Sequence, residues 1–371
     1  MLDSDKISEK GNTLRLEESI SRTVAELTTL ELKTTVAPAL QDTANAILQN
    51  ITSHVTEGLL HGSVILKPYF AGGKMQAMAV KNGDYKILER DESTGKPTVV
   101  EFYERQGDTV RVERHTQLPN EYVVMNFAMY KGRILETMPE NWKQYRAEVR
   151  FPNRTTPLYG YFSTTDGMPF CEKAHRLISE AEAQFSRLLW EFESGNRALY
   201  VADTAFFRDK KGEPKLPDKR LYRLLCTGKD DLFCDYSPAF RQKDIIEGLN
   251  CILQRIEDCC ALSRGTLSDA NLSARTATEL KIMRHRTYAT VKTLQRALEK
   301  ALYDMLQATK DILSVYGLCE EGKAEAVFHF DDSVLTGKTD EISDLLLLLD
   351  KGVLTPQEVR SYLYGEKGGV L

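Results

Sequence analysis

The chain of 371 residues is 42% hydrophobic and 28% charged, with 23 Gly and 12 Pro, which excludes a disordered or collagen-like protein and leaves ample length for a buried core. Its 49 Lys+Arg against 54 Asp+Glu give a formal charge of −5, the wrong sign for gripping nucleic acid through a general positive surface, so any DNA contact has to be local or weak. No apolar run approaches the roughly 18 residues of a membrane-spanning helix. The start, Met1-Leu-Asp-Ser-Asp-Lys6, lacks the basic-then-apolar pattern of a secretory signal, so a cytoplasmic protein is expected.

In chain order, residues 12–60 carry helical periodicity in two stretches, Leu14 to Leu30 and Leu40 to Val55, separated by Pro38. From Gly62 the period changes. Val64–Phe70 leads through Ala71-Gly72-Gly73-Lys74 into Met75–Val80, a hairpin signature, and strands are expected at 84–89, 97–105, 108–114 and 121–127 with turns at Asn82-Gly83, Gly95-Lys96 and Gln106-Gly107-Asp108. Asp166 and Pro169 then mark a helix start, followed by an apolar stripe from Phe170 through Ala181, Leu188 and Leu189 to Phe192, which Gly195 closes.

Between 197 and 240 the pattern reads as a small β insert with strands at Ala198–Ala202, Leu221–Cys226 and Asp231–Asp235. A second helix follows over about 243–262, with Ile245, Leu249, Ile252, Ile256 and Cys259 on one face. The polar segment Ser263–Arg275 ends at Thr276-Ala-Thr-Glu279, which has the form of a capping box. There begins a helix of about 40 residues, about 60 Å long, running to Gly317. A strand at Ala324–Phe330 and two short helices, about 340–351 and 356–364, complete the chain, the last opening on the capping box Thr355-Pro-Gln-Glu358.

Chemistry is hard to find in this pattern. Gly72-Gly73-Lys74 is followed by Met75 and lies between strands, not in the strand–loop–helix setting of a phosphate loop. The six histidines show no zinc spacing, and Asp331-Asp332 reads as caps and turn residues rather than a Mg²⁺ site. The seven cysteines (Cys171, Cys226, Cys234, Cys251, Cys259, Cys260, Cys319) form no C-x-x-C pair, and Cys251, Cys259 and Cys260 are expected to be reduced core thiols. No catalytic constellation, metal or cofactor is expected. Within 264–286 five basic residues (Arg264, Arg275, Lys281, Arg284, Arg286) outnumber Asp269 and Glu279. From the residues alone a solvated helix face with i,i+4 pairs is the favoured reading of that excess over a DNA contact, although a long loop in a compact protein is often functional.

Several stretches carry a resemblance: Phe185-Ser-Arg-Leu-Leu-Trp-Glu-Phe-Glu-Ser-Gly195, Asp235-Tyr-Ser-Pro-Ala239, Gly248–Glu257, Gly265-Thr-Leu-Ser268, Thr276-Ala-Thr-Glu279 and Phe330-Asp-Asp-Ser333. With the order of elements, they make the chain similar to the portal proteins of tailed bacteriophages, of the type found in long-tailed phages of Gram-positive hosts. The likeness spans about 165–335, while 62–150 matches only loosely.

It implies an α+β fold in portal architecture, with a wing over 1–165, stem helix one over 166–195 and a clip over 196–241. Stem helix two would cover 242–262, a tunnel loop 263–275, the long wing helix and return strand 276–336, and the start of a helical crown 337–371. Members of the family have more sequence before the equivalent of Arg22 and after Gly365, so the chain is expected to be shortened at both ends.

The resemblance further implies a homododecameric ring at one capsid vertex that is not an enzyme and through which double-stranded DNA is packaged and later ejected. Its partners would be other copies of the chain, DNA bound non-specifically, the terminase large subunit, a head-completion adaptor, scaffold and major capsid protein, without a membrane. Its location would be the virion, and the host cytoplasm during assembly. Arg264, Thr266, Ser268, Asn271, Ser273 and Arg275 are the expected tunnel-loop residues, Lys281, Arg284 and Arg286 mark the start of the long helix, and Arg208, Lys210, Lys211 and Lys215 a clip loop facing terminase or adaptor. Arg264 and Arg275 are the expected DNA-facing pair. A ring of twelve would carry roughly −60 in total, which disfavours the counterion-release binding that stalls a sliding duplex. The alternatives are a phage structural or head-tail adaptor protein without a DNA channel, and an enzyme whose site the sequence does not announce.

Overall fold

The structure, a computed structural model, describes residues 14–30, 32–71, 73–154, 156–165, 167–194, 198–202, 222–225, 233–236, 241–269, 277–320, 322–330, 347–351 and 354–359. The chain has mixed helix and strand, an α+β fold, and divides into two compact units, one built from 18–172 with 274–371 and the other from 1–17 with 173–273.

In the first unit the N-terminal segment is more broken than two helices. It forms α1 (Leu16–Thr29), β1 (Leu32–Val36), a 3-10 turn (Pro38–Leu40), α2 (Gln41–Leu48) and α3 (Ile51–His61). Thr34-Thr35-Val36 are β-branched and stiff at χ1, and β1 finds an antiparallel partner in β14 (Ala326–Phe330), Leu32 opposite Phe330. Helix α1 buries Ile20, Val24, Ala25 and Thr28 at helical spacing, and the Thr29 and Thr52 hydroxyls meet at 2.8 Å. Gly62, at φ +86°, ends α3 where a Cβ would run into the Gly167 carbonyl, so only glycine fits there.

The expected hairpin is β2 (Ser63–Ala71) with β3 (Lys74–Val80), Ala71 opposite Lys74. Gly72 lies outside the described residues. A strand the periodicity did not announce, β10 (Gly160–Ser163), pairs with the other edge of β2. The second sheet runs β4 (Tyr85–Arg90), β5 (Pro97–Gln106), β6 (Thr109–Gln117), β7 (Glu121–Tyr130), all antiparallel. Two further strands, β8 (Arg133–Ile134) and β9 (Glu148–Pro152), share the free edge of β7. Ile65, Val80, Tyr85, Val100, Phe102 and Tyr159 form one core cluster joining the two sheets.

The long helix, α6 (Ala277–Val315), has 39 residues. It buries Val291, Leu294, Leu298, Ala301, Leu302 and Met305 in a stripe of three-and-four spacing, and Ala308 and Ile312 join Tyr122, Val124 and Leu158 in a second core cluster. Beyond β14, residues 347–350 and 356–359 are helical. The Thr355 box forms as expected, Thr355 N–H donating to the Glu358 carboxylate at 2.8 Å and Glu358 N–H to Thr355 Oγ1 at 3.3 Å. Thr276 of the other box, Gly195, and Asp331-Asp332 lie outside the described residues.

In the second unit a 3-10 turn (Glu172–Ala174) leads into α4 (His175–Ser194), and α5 (Gln242–Cys259) packs against it. Three strands lie between them in sequence, β11 (Ala198–Ala202), β12 (Tyr222–Leu225) and β13 (Phe233–Tyr236), in the order β12-β11-β13. The cysteine expectation needs correction: Cys260 and Cys171 are buried, but Cys251 and Cys259 are exposed on α5. Helix α5 has too narrow a buried stripe to cover them, with Ile256 fully enclosed and Ile245, Leu249 and Ile252 only half-buried. Cys226 lies outside the described residues.

Candidate functional site

The segment that follows α5 is where sequence and geometry converge. Helix α5 ends in a left-handed reversal at Ala261 (φ +52°), with Leu262 N–H bonding to the Glu257 carbonyl at 2.9 Å and Ala261 N–H to the Asp258 carbonyl at 3.4 Å. This pair of bonds is the Schellman arrangement, which normally places glycine where Ala261 stands. It turns the chain back over the last turn of the helix.

There the chain closes around one side chain. Glu257 is fully buried, and its Oε1 accepts from the backbone N–H groups of Gly265 (3.1 Å), Leu267 (2.6 Å) and Ser268 (2.9 Å), while Oε2 accepts from the Ser268 hydroxyl (2.8 Å). A buried carboxylate is tolerable only when its lone pairs are so occupied. The Thr266 hydroxyl donates to the Ser263 carbonyl at 2.6 Å, and Asp269 N–H donates to Asn250 Oδ1 at 2.8 Å. Residues 263–269 are thus an ordered shoulder folded on α5, not a loose small-residue loop.

On that shoulder Arg264 is about half exposed and its Nη2 lies 3.1 Å from Asp258 Oδ2, which also has Arg255 Nη1 at 3.8 Å. The hydrogen bond and charge of Asp258 hold the Arg264 guanidinium above its usual pKa. Ser268 departs from the expectation of an outward loop residue, because its hydroxyl is turned inward onto Glu257. Asn271, Ser273 and Arg275 lie outside the described residues, as do Arg208, Lys210, Lys211 and Lys215. Lys281, Arg284 and Arg286 all fall in the first turns of α6, and Arg286 is exposed. What the sequence did not single out is Glu257: an acid beside Asp258 near a helix end reads as solvated, and three of the four donors named above are backbone groups that leave no trace in residue type.

A second feature is the cleft of about 410 Å³ between α4 and α5, lined by Gln184, Arg187, Trp190, Glu191, Arg241 and Ile245 among others. Arg241 forks onto Glu191, Nε to Oε1 at 3.2 Å and Nη2 to Oε2 at 3.0 Å, and this bond holds the Glu191 carboxyl below its usual pKa. Trp190 and Phe192 are about half exposed and Ile246 over a third, a large apolar display for a helix pair.

The third is a row of polar side chains buried along β6. Glu113 meets Lys67 Nζ at 2.7 Å, His115 Nε2 at 2.8 Å and Arg111 Nη1 at 3.1 Å. His115 Nδ1 lies 2.9 Å from the Tyr122 hydroxyl, and Arg111 stacks on Tyr145 while reaching Glu104 and Asn126. Lys67 and His115 hold the Glu113 carboxyl well below its usual pKa against the burial that opposes them, and burial keeps His115 neutral. With Glu113 accepting from Nε2–H and Tyr122 donating to Nδ1, both ring nitrogens are spent inside the network. A histidine so occupied orients a core; it has no nitrogen left for a substrate proton.

Among the described residues no group of three or more His, Cys, Asp or Glu is placed to hold a metal ion, and no helix is long and apolar enough to cross a membrane. Comparison of the chain with protein-family models and with curated proteins finds no match.

Proposed function

We propose that the chain is a subunit of a portal-type ring, a passive conduit for double-stranded DNA at a phage capsid vertex, and not an enzyme. One observation carries this: a helix pair, α4 and α5, brackets a three-stranded module and is followed by a short shoulder and a 39-residue helix. The half-exposed Trp190, Phe192 and Ile246 on the helix pair support it, because neighbouring copies in a heterologous ring cover such surfaces. In this arrangement α4 and α5 are the stem, β11–β13 the clip, 263–275 the loop that touches DNA and α6 the wing helix. Terminase, a head-completion adaptor, scaffold and capsid protein are the partners such a ring would meet.

The physics of sliding fits the chain's charge. A net −5 per copy leaves only local cations to meet phosphates, and phosphate contacts position a duplex without reading it. Negative-stain microscopy with native mass on the purified full chain tests the proposal. Closed rings of about twelve copies with a central hole are expected; a monomer, a closed dimer or an assembly without a hole would overturn it, the last favouring an adaptor.

A further inference from the structure

We propose that Asp258 is an internal counter-ion for Arg264 that competes with DNA phosphates, so that the shoulder touches a passing duplex without holding it. This rests on the conduit reading and adds to it the device that keeps the contact weak. Three observations carry it.

The first is that Arg264 is placed, not free to wander. Its neighbour Gly265 is pinned by backbone N–H to the buried Glu257 carboxylate, and the chain on its other side is fixed by the reversal at Ala261 and Leu262. The second is that the cation has a partner within its own subunit: Asp258 Oδ2 at 3.1 Å, about a quarter exposed, against an arginine about half exposed. The contact joins Arg264 Nη2 to Asp258 Oδ2, an oxygen that also has Arg255 Nη1 at 3.8 Å, whereas phosphate offers arginine a bidentate fork. A solvent-accessible ion pair is cheap to open, so a phosphate arriving at Arg264 displaces Asp258 and is displaced by it in turn. The third is adjacency. Glu257 and Asp258 divide the work, one neutralising the backbone donors of the shoulder from inside and the other its guanidinium from outside. An arginine without that second carboxylate would contribute a full counterion-release contact from every copy in the ring, and summed around a channel such contacts brake movement.

The test uses the full chain assembled as rings and a fluorescent 100-base-pair duplex, titrated at several salt concentrations between roughly 25 and 200 mM. Asp258→Asn keeps the shape and removes the charge. It is expected to bind the duplex about 3- to 10-fold more tightly at low salt, with the slope of log K against log salt steeper by about 0.9 for each added phosphate contact. In Asp258→Asn with Arg264→Ala the gain should vanish. Asp258→Ser serves as a second variant should the first fail to assemble.

Unchanged affinity and slope in rings of either Asp258 variant would overturn the competition, and so would a gain that survives loss of Arg264, since the effect would then come from Arg255 beside the same carboxylate or from bulk charge. Failure of the unaltered chain to form rings or to bind the duplex at low salt would instead bring down the conduit itself, and this inference with it.

Discussion

Gly160 and Ala301 touch backbone to backbone: a Cβ on Gly160, in β10, would fall on the Ala301 carbonyl of α6. Strand and helix approach so closely because neither presents a large side chain there. Gly160 is not in a left-handed conformation, so its requirement is purely one of space. Gly160→Ala should push β10 off α6 and lower stability by about 1–3 kcal/mol, read as a lower urea midpoint at unchanged slope. An unaltered midpoint would mean that the helix moves aside at no cost.

The end of α5 makes the opposite prediction. Ala261 occupies the left-handed position of a Schellman turn at φ +52°, where a Cβ is strained and glycine is not. Ala261→Gly should therefore stabilise the chain by about 0.5–1 kcal/mol, the relief of strain outweighing the added freedom of the unfolded chain. A destabilised variant in thermal unfolding would show that the methyl group is packed well enough to repay its strain.

The buried row on β6 sets how stability depends on pH. His115 has its pKa lowered from the usual 6.5 by burial. Its neutral form is therefore favoured in the fold, and the stability tied to it is complete above about 6.5 and is lost as pH falls towards the lowered value. Glu113 works in the same direction further down, its lowered pKa giving stability above its usual 4.5 that is lost as pH falls through the folded value. The urea midpoint should hence fall as pH drops from 7.5 to 5, and fall less in a His115→Phe variant once its lower starting stability is allowed for. Lys67→Ala leaves Glu113 without its nearest cation and should cost about 3 kcal/mol at neutral pH. A midpoint that is flat across this range would mean that water reaches the row.

These elements differ in how visible they were in the sequence. The hairpins around Asn82-Gly83, Gly95 and Gly107 were legible because turn residues punctuate alternating strands, and α6 because its stripe persists over many turns. Strand β1 was not. Leu32 to Val36 is five residues long with apolar positions flanking it on both sides, and its partner among the described strands, β14, lies almost three hundred residues further along the chain. The gap between α2 and α3 falls at Gln49-Asn50, without a proline or glycine to mark it.

The row Arg111, Glu113, His115 has the alternation of a solvent face, yet Lys67, Phe102 and Tyr145 come from other parts of the chain to cover it. Tertiary cover is not a local property of sequence. The same holds for the shoulder: Gly265 and Ser268 were visible as loop residues, but only the fold shows that Glu257 is what they close upon.

The helix pair separates folding from assembly. Leu188 is buried within the fold of the chain, so Leu188→Asp places an unpaired charge in an apolar contact and should cost several kcal/mol, about the scale of other buried unpaired polar groups. Soluble yield and the cooperative unfolding transition should both suffer. Trp190 is about half exposed and Ile246 over a third, so Trp190→Ser with Ile246→Ser removes apolar surface that the single chain leaves partly in water. Unfolding of the isolated chain should shift by about 1–2 kcal/mol for the covered part of the two side chains, less than in Leu188→Asp, while ring formation weakens further, because the exposed part loses the neighbour that would have covered it. Analytical ultracentrifugation at matched concentrations separates the two effects. Rings of undiminished stability in the double serine variant would move the subunit contact away from this face, and a folded, fully assembled Leu188→Asp chain would mean that α4 turns a different face inward.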